Sequence, residues 1–393
     1  MKTIYFAGGC FWGTEHYMRQ FDGVTETVAG YANGAIENPT YEQVYTDTTG
    51  FVECVKVTYD DSFVSLLTLC RLYFRSIDPL LMNRQGNDAG TRYRTGIYWT
   101  DTEDFLDVKQ AWDEVSSRLG TPLAVELKPL ECFYPAEDYH QDYLVRNPGG
   151  YCHLSLQTLR FAKVYSDMIR KLRSLADEEK RAVYPRFFKT GKGEYGEGDK
   201  FIGVTVPLTR QVAKEYSDVS LDVVDALLES EWHECRLCAL LVLVRKFAKS
   251  PEEIVAFYLA HTAGINNWDL VDLSAPYVLG RFLCDRHDRS VLYDLAGSSN
   301  IWEQRIAIVS TLALIRDSQF DDTLKIAEVF LSTEHDLIRK ATGWMLREVG
   351  KKDESVLSEF LEKYRTVMPR TMLRYAIERF SPERRRYFMG KAD

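Results

Sequence analysis

Apolar and polar positions along the chain keep two different rhythms. Through residue 154, short β-rich runs alternate with stretches of helical spacing. Thr3 to Phe6, Val52 to Tyr59 and Thr95 to Trp99 are read as strands, and Ser65 to Arg75 and Thr102 to Leu119 as helices. Segments rich in Gly, Asn and Pro separate them. The pattern predicts an α/β fold of the α+β sandwich kind, with its chemically interesting residues in the loops.

From about Arg160 onward, strand signals fade and apolar residues recur at three- and four-residue spacing, which predicts an all-α second half. Trp232, Trp268, Trp302 and Trp344 open or sit within successive helical pairs at intervals of 36, 34 and 42 residues. Those intervals approach the ~40–47 residues of HEAT-type repeats, so a HEAT-like helical solenoid is expected. Ser250-Pro251-Glu252-Glu253 has the cap, first-turn proline and acidic charge of a helix start, and Gly350 is expected to stop a helix. The join lies between Leu154 and Ala176, giving domains of 1–157 and 158–393. A length of 393 residues agrees with two domains, since a single core rarely grows past ~250–300 residues.

Composition narrows the setting. Hydrophobic residues make up 45% of the chain, yet no uninterrupted apolar run comes near the ~18–20 residues of a membrane span. The expectation is a protein without membrane segments. Cysteines 10, 54, 70, 132, 152, 235, 238 and 284 are too sparse for a secreted disulfide scaffold, so a reducing cytoplasm is the expected home. The net charge of −9 is unevenly spread: residues 1–154 carry 12 Lys/Arg against 22 Asp/Glu, leaving 37 against 36 for the rest. Within the second half, 365–391 form a basic strip of seven arginines and Lys391 against Glu378 and Glu383.

The string Gly8-Gly9-Cys10-Phe11-Trp12-Gly13 follows a strand and precedes a helical segment, Thr14 to Gln20, which places Cys10 at a helix N-terminus. Backbone N–H groups there favour a thiolate, so a lowered thiol pKa is expected, with Phe11 and Trp12 lining an apolar pocket. A buried structural cysteine between two core aromatics fits the same six residues. Four companions occur downstream: Asn38-Pro39-Thr40-Tyr41, Thr49-Gly50-Phe51-Val52-Glu53, the run from Asn83 to Arg94, and Glu137-Asp138-Tyr139-His140-Gln141. With them, residues 3–155 resemble the A-type peptide methionine sulfoxide reductases, in motif content and in motif order.

That resemblance implies a nucleophile, Cys10, that attacks the sulfoxide sulfur, and a catalytic acid, Glu53, that protonates the departing oxygen. An acid held protonated near neutral pH must be partly buried, in keeping with Val52-Glu53-Cys54-Val55. Tyr41 and Tyr93 match the hydroxyls that bind the sulfoxide oxygen, Asp88 matches a residue that helps hold the substrate, and Phe11 and Trp12 receive the S-methyl group. Cys152 stands where many members keep a resolving cysteine, which implies a Cys10–Cys152 disulfide recycled by thioredoxin and no tightly bound cofactor. The implied substrate is methionine-S-sulfoxide, free or in proteins. The chain continues as His153-Leu154-Ser155 where some members carry a further cysteine, and Phe51, Ile77 and Arg92 depart from common family residues. His140 is read as structural or supporting, and Cys54, Cys70 and Cys132 as small buried hydrophobes.

In the helical half, Trp268 and Asp272 are four residues apart and share a helix face. Asn266 to Asp272, Trp302-Glu303-Gln304-Arg305, Arg339 to Trp344 and Lys200-Phe201-Ile202-Gly203-Val204 resemble the AlkD-like DNA glycosylases over residues 163–388. The resemblance implies that Trp268 and Trp344 line a site against alkylated double-stranded DNA. Asp272 then stabilises positive charge on the deoxyribose, Arg305 holds a phosphate, and no metal takes part. The Cys235/Cys238 pair lacks a second ligand pair and is not read as a zinc site. The combined expectation is a bifunctional repair protein; the alternative is a reductase whose helical array is an inactive DNA- or protein-binding module.

Overall fold

The computed structural model describes residues 1–390, which form two compact units, Met1–Lys171 and Leu172 onward. The expected join at 157/158 falls at the start of the helix Leu156–Arg173, and the compact units divide near its end.

The first unit has eight strands: β1 (Lys2–Gly8), β2 (Val24–Ala32), β3 (Val52–Tyr59), β4 (Arg84–Gln85), β5 (Asp88–Ala89), β6 (Thr95–Trp99), β7 (Glu126–Pro129) and β8 (Phe133–Pro135). Six of them build one sheet in the order β7-β6-β1-β3-β2-β8, antiparallel except for the parallel pair β6–β7, while β4 and β5 pair separately. Strand β3 is central and almost wholly buried, so its alternation serves two covered faces. Val52 and Cys54 join Tyr5, Ala7, Ala32 and Tyr98 in a cluster on one face. Glu53, between them, points the other way, toward the helix Phe11–Met18. The expected helix over 65–75 forms as Leu66–Phe74, with the Ser65 hydroxyl accepting from Thr68 N–H at 3.3 Å. The expected 102–119 helix begins with a 3-10 turn at Thr102–Asp104 and continues as Phe105–Leu119.

The second unit is helical apart from a single bridge between Lys200 and Trp232 among the described residues. Every residue from His233 to Leu243 is buried, and most of the helix Ile301–Arg316 as well, so these helices are covered on all sides and form the spine of the unit. Trp268–Asp272 and the π-helical turn Pro276–Gly280 pack on Ile301–Arg316, which packs on Asp336–Lys352, which packs on Arg370–Ala376. Each element meets its sequential neighbours, as in a stacked helical array. Trp232, Trp268 and Trp302 stand at helix starts, whereas Trp344 lies mid-helix.

Gly350 does not end a helix, contrary to the reading of it as a stop: Asp336–Lys352 runs through it. A Cβ there would stand 2.4 Å from Leu357 of the following helix, so the glycine permits close packing rather than a left-handed cap. The Phe201-Ile202-Gly203-Val204 string also has a local cause. Its three N–H groups at Ile202, Gly203 and Val204 donate to the buried Glu234 carboxylate at 2.7–3.0 Å. Among the described residues, no helix is long and apolar enough to cross a membrane.

Candidate active sites

Gly9, at φ +83°, turns the chain from the end of β1 into the helix Phe11–Met18, of which Cys10 is the N-cap. Cys10 is 5% exposed. The expected lowering of its pKa is not found. Burial pushes the thiol well above its ordinary value, the Glu53 charge adds to this, and the N–H groups of Trp12 and Gly13 only partly offset it. At a helix terminus this deeply covered, desolvation outweighs the favourable dipole. Cys10 therefore rests as a neutral thiol.

Glu53 is buried and accepts the Phe11 N–H at 3.0 Å, one residue beyond Cys10. Burial pushes its carboxyl up to about 8, against the lowering effect of that hydrogen bond and of Arg92. A proton donor thus stands beside a thiol. Tyr41 and Tyr93 belong to the same enclosure: burial raises both hydroxyls, and both respond to the charges of Glu53 and Cys10. Tyr93 sits on the short turn Thr91–Tyr93, with the Arg92 guanidinium 4.4 Å from its ring. Arg92 is itself buried and paired with Asp47 at 2.6 Å, which fixes its guanidinium beside Tyr93.

Phe11 and Trp12 form an aromatic wall with residues that the sequence reading left in the background. The Trp12 indole donates to His140 Nδ1 at 3.0 Å and stacks on Tyr143 at 3.8 Å; His140 also meets Phe11 at 5.0 Å and Tyr41 at 4.7 Å. Burial lowers the His140 pKa, which keeps the ring neutral and able to accept. Glu137 accepts from Tyr31 hydroxyl and from Tyr41 N–H, both at 2.8 Å. These two supports come from the Glu137–Gln141 string, whose identity was visible in the sequence but whose contacts were not.

The segment Tyr151-Cys152-His153 returns to the Cys10 helix. A Cβ on Gly13 would stand 3.3 Å from Cys152 Sγ and 2.7 Å from the His153 ring, so glycine there lets both approach the first turn of the Cys10 helix. Cys152 is partly buried and free, and burial raises its thiol pKa. Asp88 accepts from the Tyr151 hydroxyl at 2.9 Å. Cys54 and Cys70 are fully buried, and partly buried Cys132 donates weakly to Gly34 oxygen at 3.6 Å, all away from this cluster.

In the helical unit, Trp268 opens the turn Trp268–Asp272, capped by the Asn267 side chain, and Asp272 ends it. Arg305, 6% exposed, donates through Nε and Nη2 to the two Asp272 oxygens at 2.9 and 2.8 Å, and through Nη1 to Leu337 oxygen at 2.8 Å. Arg305 is thus the partner of Asp272, with its fork committed to that carboxylate. Burial raises the Asp272 pKa and Arg305 offsets the rise. Tyr195, overlooked in the sequence, comes from the loop preceding Lys200; it lies edge-on to Trp302 at 5.8 Å and within hydrogen-bonding reach of the Trp268 side chain. Phe188 stacks on Trp268 at 5.5 Å.

Trp344 lines a cleft with Leu312, Ile315, Arg316, Glu348, Lys351 and Lys352, its indole donating to Glu348 at 3.2 Å. In the basic strip, Arg365 and Arg370 are tied to the carbonyls of Tyr387 and Met389, and Arg384 to Glu354, while Arg374, Arg379, Arg385 and Arg386 are exposed. Lys391 lies outside the described residues.

Comparison with known proteins gives a different match to each unit. Residues 2–171 match the family described as peptide methionine sulfoxide reductase, and residues 168–380 the family described as DNA alkylation repair enzyme. The peptide methionine sulfoxide reductase MsrA of Clostridium botulinum (strain Okra) is 49% identical over 156 residues, covering 40% of this chain and 99% of that protein. The MsrA of Clostridium acetobutylicum is also 49% identical, over 160 residues, 41% of this chain and 99% of that one. A solved structure described as a predicted DNA alkylation repair enzyme from Enterococcus faecalis is 22% identical, with a TM-score of 0.44, covering 53% of this chain and 97% of its own.

Proposed function

The chain belongs to two families at once, the peptide methionine sulfoxide reductases and the DNA alkylation repair enzymes, and from that premise we propose that one polypeptide reduces methionine-S-sulfoxide and releases alkylated purines from DNA. The observation that supports the reductase chemistry most directly is the hydrogen bond from Phe11 N–H to Glu53, which ties a protonated carboxyl to the residue next to the nucleophile.

With both groups neutral at rest, Glu53 gives its proton to the sulfoxide oxygen as Cys10 sulfur attacks the substrate sulfur, and the thiol proton returns to Glu53. The S–O bond to substrate breaks, methionine leaves, and Cys10 keeps the hydroxyl as a sulfenic acid. Tyr41 and Tyr93 hold the oxygen, Asp88 helps hold the substrate, and Phe11 and Trp12 enclose the methyl group. The Cys152 sulfur then displaces that hydroxyl as water, forming the Cys10–Cys152 disulfide. A thioredoxin dithiol reduces it by exchange and is itself oxidised.

Two outcomes check this sequence of steps. Without reductant, Cys152→Ser is expected to form one methionine per chain and to gain one oxygen by intact mass; with thioredoxin it stalls after that turnover. Sustained thioredoxin cycling by the variant would remove Cys152 from the resolving step. Because the protonated form of Glu53 is the active one, single-turnover reduction is expected to fall as pH rises through about 8. Glu53→Gln retains a donor but cannot transfer a proton, and is expected to slow reduction about 10²-fold and to remove that pH dependence. A rate that climbs across the same range in the wild type, with Glu53 intact, contradicts the assignment.

For the helical unit, the carrying observation is the bidentate Asp272–Arg305 pair beside Trp268. Arg305 holds the carboxylate charged and oriented, so that it faces an oxocarbenium-like sugar as the glycosidic bond breaks. Trp268, with Tyr195 against it, supplies the aromatic surface. Alkylated purines already carry positive charge and leave readily, so electrostatic help is the main requirement. Trp344 and its cationic neighbours Arg316, Lys351 and Lys352, with the exposed arginines of the strip, meet phosphates of the same duplex.

A further inference from the structure

Sulfoxide reduction uses Cys10 and Asp88 but leaves His153 without a task. Yet Cys10 Sγ, an Asp88 carboxylate oxygen and a His153 ring nitrogen all lie within 4.8 Å of one another. Asp88 Oδ2 and His153 Nδ1 are both buried and have no hydrogen-bond partner. The other polar atom of each side chain is held from behind. Tyr151 hydroxyl donates to Asp88 Oδ1 at 2.9 Å, and His153 Nε2 lies 2.9 Å from Gly8 oxygen. A carbonyl oxygen only accepts, so Nε2 carries the hydrogen and Nδ1 presents a bare lone pair. An imidazole whose far N–H is fixed on a backbone carbonyl, beside a carboxylate fixed by its outer oxygen, is the supporting arrangement that protein metal ligands ordinarily have.

From this geometry we propose that the reduced protein binds a divalent cation of the zinc class through Cys10 Sγ, the Asp88 carboxylate and His153 Nδ1. One thiolate, one imidazole and one carboxylate suit zinc better than magnesium or calcium, and three protein ligands leave a fourth, open position. Tetrahedral bonds of about 2.0–2.3 Å require the three atoms to draw together by roughly 1 Å, within reach of side-chain rotation. Binding forms a metal–sulfur bond and releases the Cys10 proton to solvent, with no change of oxidation state. While the metal is held, the sulfur lone pair is engaged and the nucleophile is masked; a chelator restores it.

Cobalt(II) reports the site directly, because a tetrahedral cobalt–thiolate centre has a sulfur-to-metal band in the near ultraviolet and ligand-field bands in the visible. The full chain, reduced and freed of metal, is titrated with cobalt and then with zinc. One cobalt per chain with both sets of bands is expected, bleached by one equivalent of zinc. The bands disappear in Cys10→Ser and persist in Cys152→Ser, while His153→Ala and His153→Gln each weaken binding by about 100-fold. Absence of bands in the wild type overturns the proposal, as does their survival in Cys10→Ser or undiminished binding by both His153 variants. Masking is read separately, as loss of single-turnover sulfoxide reduction with one equivalent of zinc and its return with chelator. That second readout rests on the reductase reading. Cobalt bands in a protein that reduces no sulfoxide when metal-free would leave the metal site standing and remove the reductase assignment, whereas an active reductase without bands would overturn the metal site alone.

Discussion

Cys10→Ser is expected to abolish sulfoxide reduction, lowering the single-turnover rate by roughly 10⁴-fold or more, while leaving the fold intact. Serine oxygen is a far poorer nucleophile toward sulfur than a cysteine sulfur activated at the moment of attack, and no other thiol occupies the helix N-cap in the Glu53 enclosure. The structural side of the prediction is as definite as the chemical one. Cys10 makes no side-chain capping hydrogen bond, and serine is among the preferred N-cap residues, so its hydroxyl can accept from the first helical turn. Thermal unfolding of the variant is therefore expected at or slightly above the wild-type temperature, by up to about 1 kcal/mol of added stability. Substantial residual reduction by a well-folded Cys10→Ser protein would mean that another residue starts the reaction.

Asp272→Asn is expected to reduce release of 3-methyladenine or 7-methylguanine from methylated duplex DNA by roughly 10³-fold. The amide removes the negative charge facing the sugar, and its NH2 group, a donor, replaces one of the two oxygens that accept from Arg305, so the bidentate pairing is lost. Arg305 is 6% exposed, so the variant leaves a buried guanidinium short of its counter-charge and some loss of stability accompanies the loss of activity. Asp272→Glu separates the two effects: it restores the charge at a displaced position, and is expected to recover more stability than activity. Equal recovery of both would make Asp272 a structural member of the ion pair alone. DNA retention by Asp272→Asn at low salt distinguishes a chemical defect from lost binding.

The sequence carried the frame of the first unit well where side chains alternate cleanly. Val52 to Tyr59 and Thr95 to Trp99 are found as strands with those bounds. The β2 strand has no clear alternation to announce it: Thr25 and Glu26 are exposed in succession, and three of the four residues in its buried half, Ala29, Gly30 and Ala32, are small and have weak strand preference. The Cys10 motif placed that thiol at a helix N-terminus, where it is found, but misled about its ionisation, because depth of burial is a tertiary quantity. Glu53 is buried, as expected from its apolar neighbours together with the acid role that the resemblance implied. His140, Tyr143 and His153 reach the site from more than a hundred residues away, and no spacing rule connects them to Cys10.

In the helical unit, Trp268 and Asp272 begin and end one helical turn, in keeping with their four-residue spacing. The Asp272–Arg305 pair was not legible, since it joins consecutive stacked elements 33 residues apart. Tyr195 was missed for a different reason: it lies in a glycine-rich loop without periodicity, where the aromatic ring gives no hint of what it meets. Gly350 shows the converse error. A glycine near the end of a periodic run reads as a stop, but only the neighbouring helix, with Leu357 against it, reveals that its role is close packing.

The most direct test of two repair activities on one polypeptide is to assay a single preparation of the full chain for both. The measurement is release of methylated purines from alkylated duplex DNA at low salt, alongside thioredoxin-driven reduction of methionine-S-sulfoxide. Release of free methylated base together with sulfoxide reduction is the predicted result. Active reduction without any base release contradicts the account, and would make the helical unit a DNA- or protein-binding module attached to a reductase.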